Sequence, residues 1–163
     1  MADNIYNFYK TETEDGIDYF FCTTHGRTYT VSFDMSLYDC QVDKFPTLLE
    51  YGYGFLFKFE QSIPKDLNKK YDDPFVRTTI SAIISDFLST NKDYFIVYEC
   101  PGYKQEKLFC DWSDPVKYPA IFEYGIQLEI TGVSMDYFGF ISAKNNPHLT
   151  DVISEIETFF FSL

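Results

Sequence analysis

The stretch DPFVRTTISAIISDFLSTNKDYFIVYE, residues 73–99, decides the fold that we predict for this chain. Asp73 and Pro74 are residue types that begin helices, because aspartate caps free amides and proline fits the first turn. Apolar residues then recur at helical spacing, at Val76, Ile80, Ile83, Ile84, Phe87 and Leu88. Residues 94–98 form an almost continuous apolar run, which is typical of a central, buried strand. The stretch therefore predicts a helix followed by a central strand.

The residues before this stretch predict a meander of strands. Residues 5–10, 17–23 and 27–35 are rich in aromatic and β-branched side chains. Asp15-Gly16 and His25-Gly26 separate these runs and suit turns that need a positive φ. The third run alternates apolar and polar residues, so one of its faces points into the core.

Residues 36–52 predict a loop with a short helical turn near Pro46, and the strict alternation that begins at Tyr53 predicts a fourth strand. Beyond the central strand we expect a short helix over residues 103–112. Alternation over residues 122–130 and a return over 136–143 predict a hairpin that turns at Gly132.

A second capped helix is expected after Asn146-Pro147. The predicted order of elements is β-β-β-β-α-β-α-β-β-α. This order predicts a single α+β domain over residues 1–163, with a mostly antiparallel sheet and its helices packed on one face. The helix between strands four and five can act as a crossover, which would make one strand pair parallel.

Composition excludes some classes of protein. The chain has 163 residues, of which 20% are aromatic, and 25 acidic against 13 basic residues give a formal net charge of -12. The aromatic content argues against disorder, and the acid excess argues against general nucleic-acid binding. Residues 44–117 hold most of the lysines, so we expect any anionic ligand to bind in that segment.

The sequence shows no secretory signal and no membrane span, which predicts a cytoplasmic protein that contacts no membrane. The four cysteines, at 22, 40, 100 and 110, match no zinc pattern, so we expect reduced thiols, no metal and no cofactor. Cys22 and Cys100 adjoin apolar runs, which predicts that both are buried.

Six residues are candidates for ligand or partner binding, some of them in the loop over residues 99–107 and Arg77 in the predicted helix before it. They are Arg77, Cys100, Tyr103, Lys104, Lys107 and Trp112. Arginine is scarce in this chain and suits recognition of anions, although a pair with Asp73 one turn earlier is the simpler role. We expect the only tryptophan, Trp112, either to close the core or to anchor an interface. No catalytic residue is assigned, since no histidine lies near Cys100 in sequence to act as its base.

Several motifs carry a resemblance to a small family of uncharacterised bacterial proteins. These are residues 72–80, Tyr98 with Cys100, the Leu108-Phe109 to Trp112 spacing, and residues 144–147. That family implies no activity. The element order is also loosely similar to that of acyl-CoA-dependent N-acetyltransferases, whose glycine-rich loop presents amides to a pyrophosphate at a helix N-terminus. This second resemblance implies that residues 101–105 form the corresponding loop.

Three hypotheses remain open. The first is a non-catalytic binding or protein-interaction module, with a homodimer contact near Phe161 as one form of it. The second is a small-molecule transferase of acetyltransferase-like fold that uses the loop over residues 99–107. The third is an acidic inhibitor that imitates nucleic acid. We rank the first ahead of the other two.

Overall fold

The computed structural model describes residues 4–35, 44–61, 73–101, 120–130 and 134–161. The strands are β1 (Phe8–Glu12), β2 (Gly16–Cys22), β3 (Arg27–Asp34), β4 (Gly52–Gln61), β5 (Phe95–Pro101), β6 (Ile121–Ile130) and β7 (Ser134–Ala143). The helices are α1 (Pro46–Tyr51), α2 (Pro74–Thr90) and α3 (Leu149–Phe161). The chain is therefore α+β, as the sequence predicts. The short helix expected over residues 103–112 lies outside the described residues.

The strands form one mixed sheet in the order β1-β2-β3-β4-β5-β7-β6. Neighbouring strands are antiparallel except β4 and β5, which are parallel because α2 connects them as a crossover. The possibility of one parallel pair is thus confirmed. The predicted order of elements omitted α1 as a helix, although a helical turn near Pro46 was expected.

Two glycines shape the β1–β3 meander in different ways. Gly26 adopts a φ of 78° in the turn between β2 and β3, as predicted for His25-Gly26. Gly16 has no such φ, so the prediction does not hold for that glycine. Glycine is needed there because a Cβ would lie 1.9 Å from the carbonyl oxygen of Phe33 in β3.

α2 begins and ends as its sequence predicts. The Asp73 carboxylate accepts a hydrogen bond from the Phe75 amide at 3.0 Å, and Pro74 occupies the first turn. At the other end, the Asn91 side chain donates to the Phe87 carbonyl at 2.8 Å. The apolar stripe packs on β2, β3, β5 and β7, with Ile83, Ile84 and Phe87 fully buried.

The prediction that the helices pack on one face of the sheet is wrong. On β5, Ile96 and Tyr98 belong to the core under α2, whereas Phe95 and Val97 belong to a second core that includes residues of α1 and α3. The run over residues 94–98 is apolar on consecutive positions, so both of its faces need cover. The second face is covered by α1 and α3.

α1 and α3 are joined by a polar link as well as by apolar packing. The Glu155 carboxylate accepts hydrogen bonds from the hydroxyl of Thr47, at 2.5 Å, and from its amide, at 3.2 Å. Phe161 is 67% exposed at the end of α3, as expected for a residue off the buried stripe. Among the described residues, no helix is long and apolar enough to cross a bilayer.

Candidate functional site

The parallel pairing of β4 with β5 stops soon after it begins. The paired residues are Gly52 with Phe95, Tyr53 with Ile96, and Gly54 with Val97. Both strands then continue beside their other neighbours: β4 stays paired with β3 as far as Gln61, and β5 stays paired with β7 as far as Pro101. The two strands therefore diverge towards their carboxyl ends.

We call the space that the diverging strands leave the β4–β5 opening. It is bounded by residues 56–61 of β4 and residues 99–101 of β5. In a regular sheet, the backbone N–H and C=O groups that face a neighbouring strand form hydrogen bonds with it. Within the described ranges no strand pairs with these facing edges, so their donors and acceptors are the groups with which an inserted extended chain would pair.

Aromatic packing holds the amino ends of the same two strands together. The rings of Tyr53 and Tyr94 meet edge to face with centroids 5.0 Å apart, and Phe87 of α2 packs 5.3 Å from Tyr53. Burial raises the pKa of the Tyr53 hydroxyl, and its interaction with Tyr94 raises it further. His148 stacks on Tyr51 at 4.0 Å beside this group. One end of the strand pair is therefore fixed, and divergence is confined to the other end.

Tyr98 is the first residue of β5 beyond the pairing with β4, and its side chain extends towards β7 and β6. Its register partner on β7 is Gly139, which itself pairs with Gly125 on β6. A Cβ at Gly139 would lie 2.5 Å from the Tyr98 hydroxyl oxygen, and a Cβ at Gly125 would lie 3.4 Å from it. The two glycines thus let the Tyr98 ring lie across β7 and β6, on the side of β5 away from the opening.

The N-terminus of α2 lies over β2, towards the end of the sheet at which β4 ends. The C-terminal part of α2 packs on Tyr53 at the start of β4, so the helix runs antiparallel to β4. Near its N-terminus, Tyr6 stacks on Phe21 at 6.2 Å, and Phe21 is aligned through Tyr29 with Phe59 near the end of β4.

Both carboxylate oxygens of Asp73, at the N-terminus of α2, accept hydrogen bonds. Oδ1 accepts from the Phe75 amide, and Oδ2 accepts from the Tyr6 hydroxyl at 2.6 Å. The Tyr6 amide donates to the Thr79 hydroxyl at 2.9 Å, which fixes the segment before β1 on α2. Burial raises the pKa of the Tyr6 hydroxyl, and the hydrogen bond to Asp73 adds to that rise.

A second concave region lies against α3. It has a volume of about 540 Å³ and is lined by Lys44, Ser154, Glu155, Thr158 and Phe159. The Lys44 ammonium sits 4.9 Å from the centre of the Phe159 ring, and Glu155 is already engaged by Thr47. Its charged groups therefore serve packing between elements. Across the described ranges, no group of three or more histidine, cysteine or carboxylate side chains is placed to hold a metal ion.

The structure locates two of the six predicted site residues. Arg77 lies exposed early in α2, and the backbone of Cys100 pairs with Tyr137 near the end of β5, at the margin of the opening. Tyr103, Lys104, Lys107 and Trp112 lie outside the described residues. The expectation that Cys22 is buried is wrong: it ends β2 one position after buried Phe21, so its side chain points to the opposite face and is exposed.

Sequence reasoning missed Tyr6 as a partner of Asp73. The two residues are 67 positions apart, and no spacing rule links them. Asp73 itself was identified as a helix cap, but its second hydrogen bond depends on where the segment before β1 crosses α2. No pattern in the sequence indicates that crossing.

Comparison with known proteins adds little to this geometry. No family model matches the chain, and no curated protein matches it. A crystal structure described as that of "a putative phosphinothricin N-acetyltransferase" is similar at 13% identity and a TM-score of 0.39, over 81% of this chain and 73% of that one. The match is to the class of protein that the element order loosely resembles. At this TM-score it carries no argument about the function of this chain.

Proposed function

We propose that this protein is a non-catalytic binding module that takes an extended peptide strand into the β4–β5 opening. The observation that supports this proposal is the divergence of β4 and β5 after three paired positions, while each strand remains paired on its other side. A peptide backbone alternates N–H and C=O groups at the spacing that such strand edges require. Addition of a strand is an established mode of peptide recognition, in which main-chain hydrogen bonds supply affinity.

The fixed end of the strand pair favours a preformed site. Tyr53, Tyr94 and Phe87 hold the amino ends of β4 and β5 together, so the edges of the opening are positioned before any ligand arrives. A ligand that enters a preformed site pays less ordering entropy on binding than one that must assemble it. The Tyr98 ring, which lies over β7 and β6, leaves the β4 side of β5 clear of that side chain.

The test begins with selection of binders from a random heptapeptide library displayed on phage, with the full chain as bait. The backbone amides of the protein are then followed by NMR as a selected peptide is added. We expect the largest shifts in residues 56–61 and 99–101. A version of the peptide that is N-methylated throughout keeps its side chains but lacks main-chain donors, and it is expected not to bind.

Two results contradict the proposal. One is that the library yields no peptide that binds the chain. The other is that selected peptides shift amides elsewhere, for example around the hollow against α3, and leave the opening unchanged. Turnover of an acyl donor by the purified chain would favour the transferase hypothesis over a non-catalytic module.

A further inference from the structure

The β4–β5 opening is closed where the pairing of its two strands ends. Gly54 of β4 and Val97 of β5 are the last paired residues, and we call this pair the closure. The edge-to-face contact between Tyr53 and Tyr94, with ring centroids 5.0 Å apart, holds the paired ends together. An extended chain that enters between the diverging strands therefore cannot continue past the closure in the plane of the sheet.

The sheet face that α2 covers is also closed at this point. Ile96, which precedes Val97, is fully buried under α2, and Tyr53 packs on Phe87 of α2 with ring centroids 5.3 Å apart. Tyr98 follows on the same face and is 7% exposed. A chain that reaches the closure therefore cannot leave the sheet on this face without displacing core side chains.

The opposite face at the closure is covered by α1 and α3. Phe95 is 0% exposed and Val97 is 1% exposed, and both belong to the core that these helices cover. Gly54, beside Val97, is partly exposed, so a chain that leaves the sheet on this face has to turn out over Gly54. The opening is thus shaped to hold the end of a chain rather than its middle.

The pairing pattern of the sheet favours one direction for an inserted chain. β4 and β5 are parallel to each other, whereas each is antiparallel to its other neighbour. A chain inserted antiparallel to both strands forms two antiparallel pairings, and antiparallel pairing is slightly more stable per residue than parallel pairing. Because β4 and β5 have their amino ends at the closure, such a chain has its carboxyl end there.

The charges near the closure are compatible with a terminal carboxylate. Residues 52–55 and 94–98 include no charged side chain, and Asp34 pairs with Gly54 on the edge of β4 away from the opening. Backbone N–H groups on the facing strand edges are the donors that a carboxylate needs, and hydrogen bonds to an ionised acceptor are stronger than those to a neutral one. A peptide group in the middle of a chain lacks that advantage.

We infer that the β4–β5 opening binds the carboxyl terminus of a polypeptide, which lies antiparallel to β4 and β5 with its last residue at the closure. The inference rests on the proposed function, which makes the opening a peptide site, and it deepens that function by naming the part of the partner that enters. The partner is then a protein with an extended carboxyl-terminal tail, and its internal segments do not enter the opening.

The experiment begins with two random heptapeptide libraries displayed on phage, with the full chain as bait. In one library the carboxyl end of each peptide is free, and in the other it is fused to the coat protein. We expect the first library to yield the binders. Binders that come equally or mainly from the second library overturn the inference.

A selected peptide is then lengthened by a single glycine at its carboxyl end or, as the matched control, at its amino end. The closure leaves no room for an added carboxyl-terminal residue, so the peptide must slide outward by one position, which moves every side chain to the other face. We expect Kd to rise roughly tenfold or more for this peptide and less than about twofold for the control. Equal effects of the two glycines overturn the inference.

A nitroxide attached to the amino end of the bound peptide reports the direction of the chain. Line broadening in the NMR spectrum of the protein should be strongest near Gln61, where β4 ends, and weak at the amides of Gly54 and Val97. Broadening that is strongest at Gly54 and Val97 would mean a parallel chain, and it would overturn the inference.

Failure of the inference and failure of the proposed function give different results. Peptides that shift residues 56–61 and 99–101 but tolerate the added carboxyl-terminal glycine contradict the inference and leave the proposed function in place. Failure of both libraries to yield a binder, or shifts confined to other residues, contradicts both.

Discussion

Substitution of Gly139 by alanine tests the placement of Tyr98 beside the opening. The new Cβ would lie 2.5 Å from the Tyr98 hydroxyl oxygen, 2.6 Å from its Cζ and 2.5 Å from the Tyr124 carbonyl oxygen. The last of these atoms is backbone and has no rotamer by which to move away. Overpacking of a well-packed region costs about 1–3 kcal/mol, and the removal of a strand glycine returns about 0.5–1 kcal/mol.

The net effect expected for Gly139→Ala is a loss of about 1–2 kcal/mol in the free energy of unfolding. Gly125→Ala is the control, because its Cβ would meet only the Tyr98 hydroxyl at 3.4 Å, an ordinary contact. That variant should be as stable as the unaltered chain or up to about 1 kcal/mol more stable. For a chain of this size, 1 kcal/mol corresponds to a shift of roughly 2–4 °C in Tm.

Urea unfolding followed by circular dichroism gives the two free energies. Adding Tyr98→Val to Gly139→Ala removes the ring but leaves the clash with the Tyr124 carbonyl. Part of the stability lost in Gly139→Ala should then be recovered, and a double-mutant cycle should give a coupling energy of about 0.5–3 kcal/mol between the two positions. Equal stability of Gly139→Ala and Gly125→Ala would refute this placement of the ring. Absence of coupling between positions 98 and 139 would refute it independently.

Other contacts give predictions of comparable sharpness. Asp86→Ala should lower the free energy of unfolding in urea by about 1–3 kcal/mol, because it leaves the fully buried Tyr19 hydroxyl without the carboxylate to which it donates at 2.8 Å. Tyr19→Phe should lower it by only about 0.5–1.5 kcal/mol. Equal losses for the two variants would contradict this prediction. Burial and Asp86 raise the pKa of the Tyr19 hydroxyl, so folding favours the neutral phenol. The stability that this phenol contributes is intact below about pH 10 and is lost as the pH rises further. Tyr19→Phe should therefore reduce the loss of stability at alkaline pH, and an unchanged loss would contradict this prediction. Thr47→Val should cost about 0.5–1.5 kcal/mol through loss of its hydroxyl bond to Glu155, with Glu155→Gln as a milder comparison, and a neutral Thr47→Val would mean that this link contributes nothing. Asp73→Ala should cost about 1 kcal/mol or more in thermal unfolding, because it removes both the cap of α2 and the acceptor of Tyr6, and a change below about 0.5 kcal/mol would contradict that.

The sequence was most informative where a local pattern determines the structure. The helical spacing of Ile80, Ile84 and Phe87 and the cap at Asp73 predicted α2 with its correct N-terminus. The apolar run over residues 94–98 predicted a strand buried in the sheet, and it also implied cover on both faces. The prediction of helices on one face overlooked that second consequence.

The candidate site was less predictable, because it depends on where a strand pairing ends. Nothing in the alternation of β4 indicates that its register with β5 stops at Gly54. The contact of Tyr6 with Asp73 depends on the path of a segment before β1, and the tilt of Tyr98 depends on two glycines in other strands. These features arise from tertiary packing between positions that are distant in sequence.

Hydrogen exchange of the backbone amides in the β4–β5 opening tests the central claim most directly. In the chain without peptide, those amides of residues 56–61 that point towards β5 should exchange fast. The amides that form hydrogen bonds between β2 and β3 should be protected. A selected peptide at saturating concentration should slow exchange of the amides in the opening and leave exchange of the β2–β3 amides unchanged. Amides in the opening that are already protected in the free chain, or that stay fast when the peptide is bound, would contradict the account.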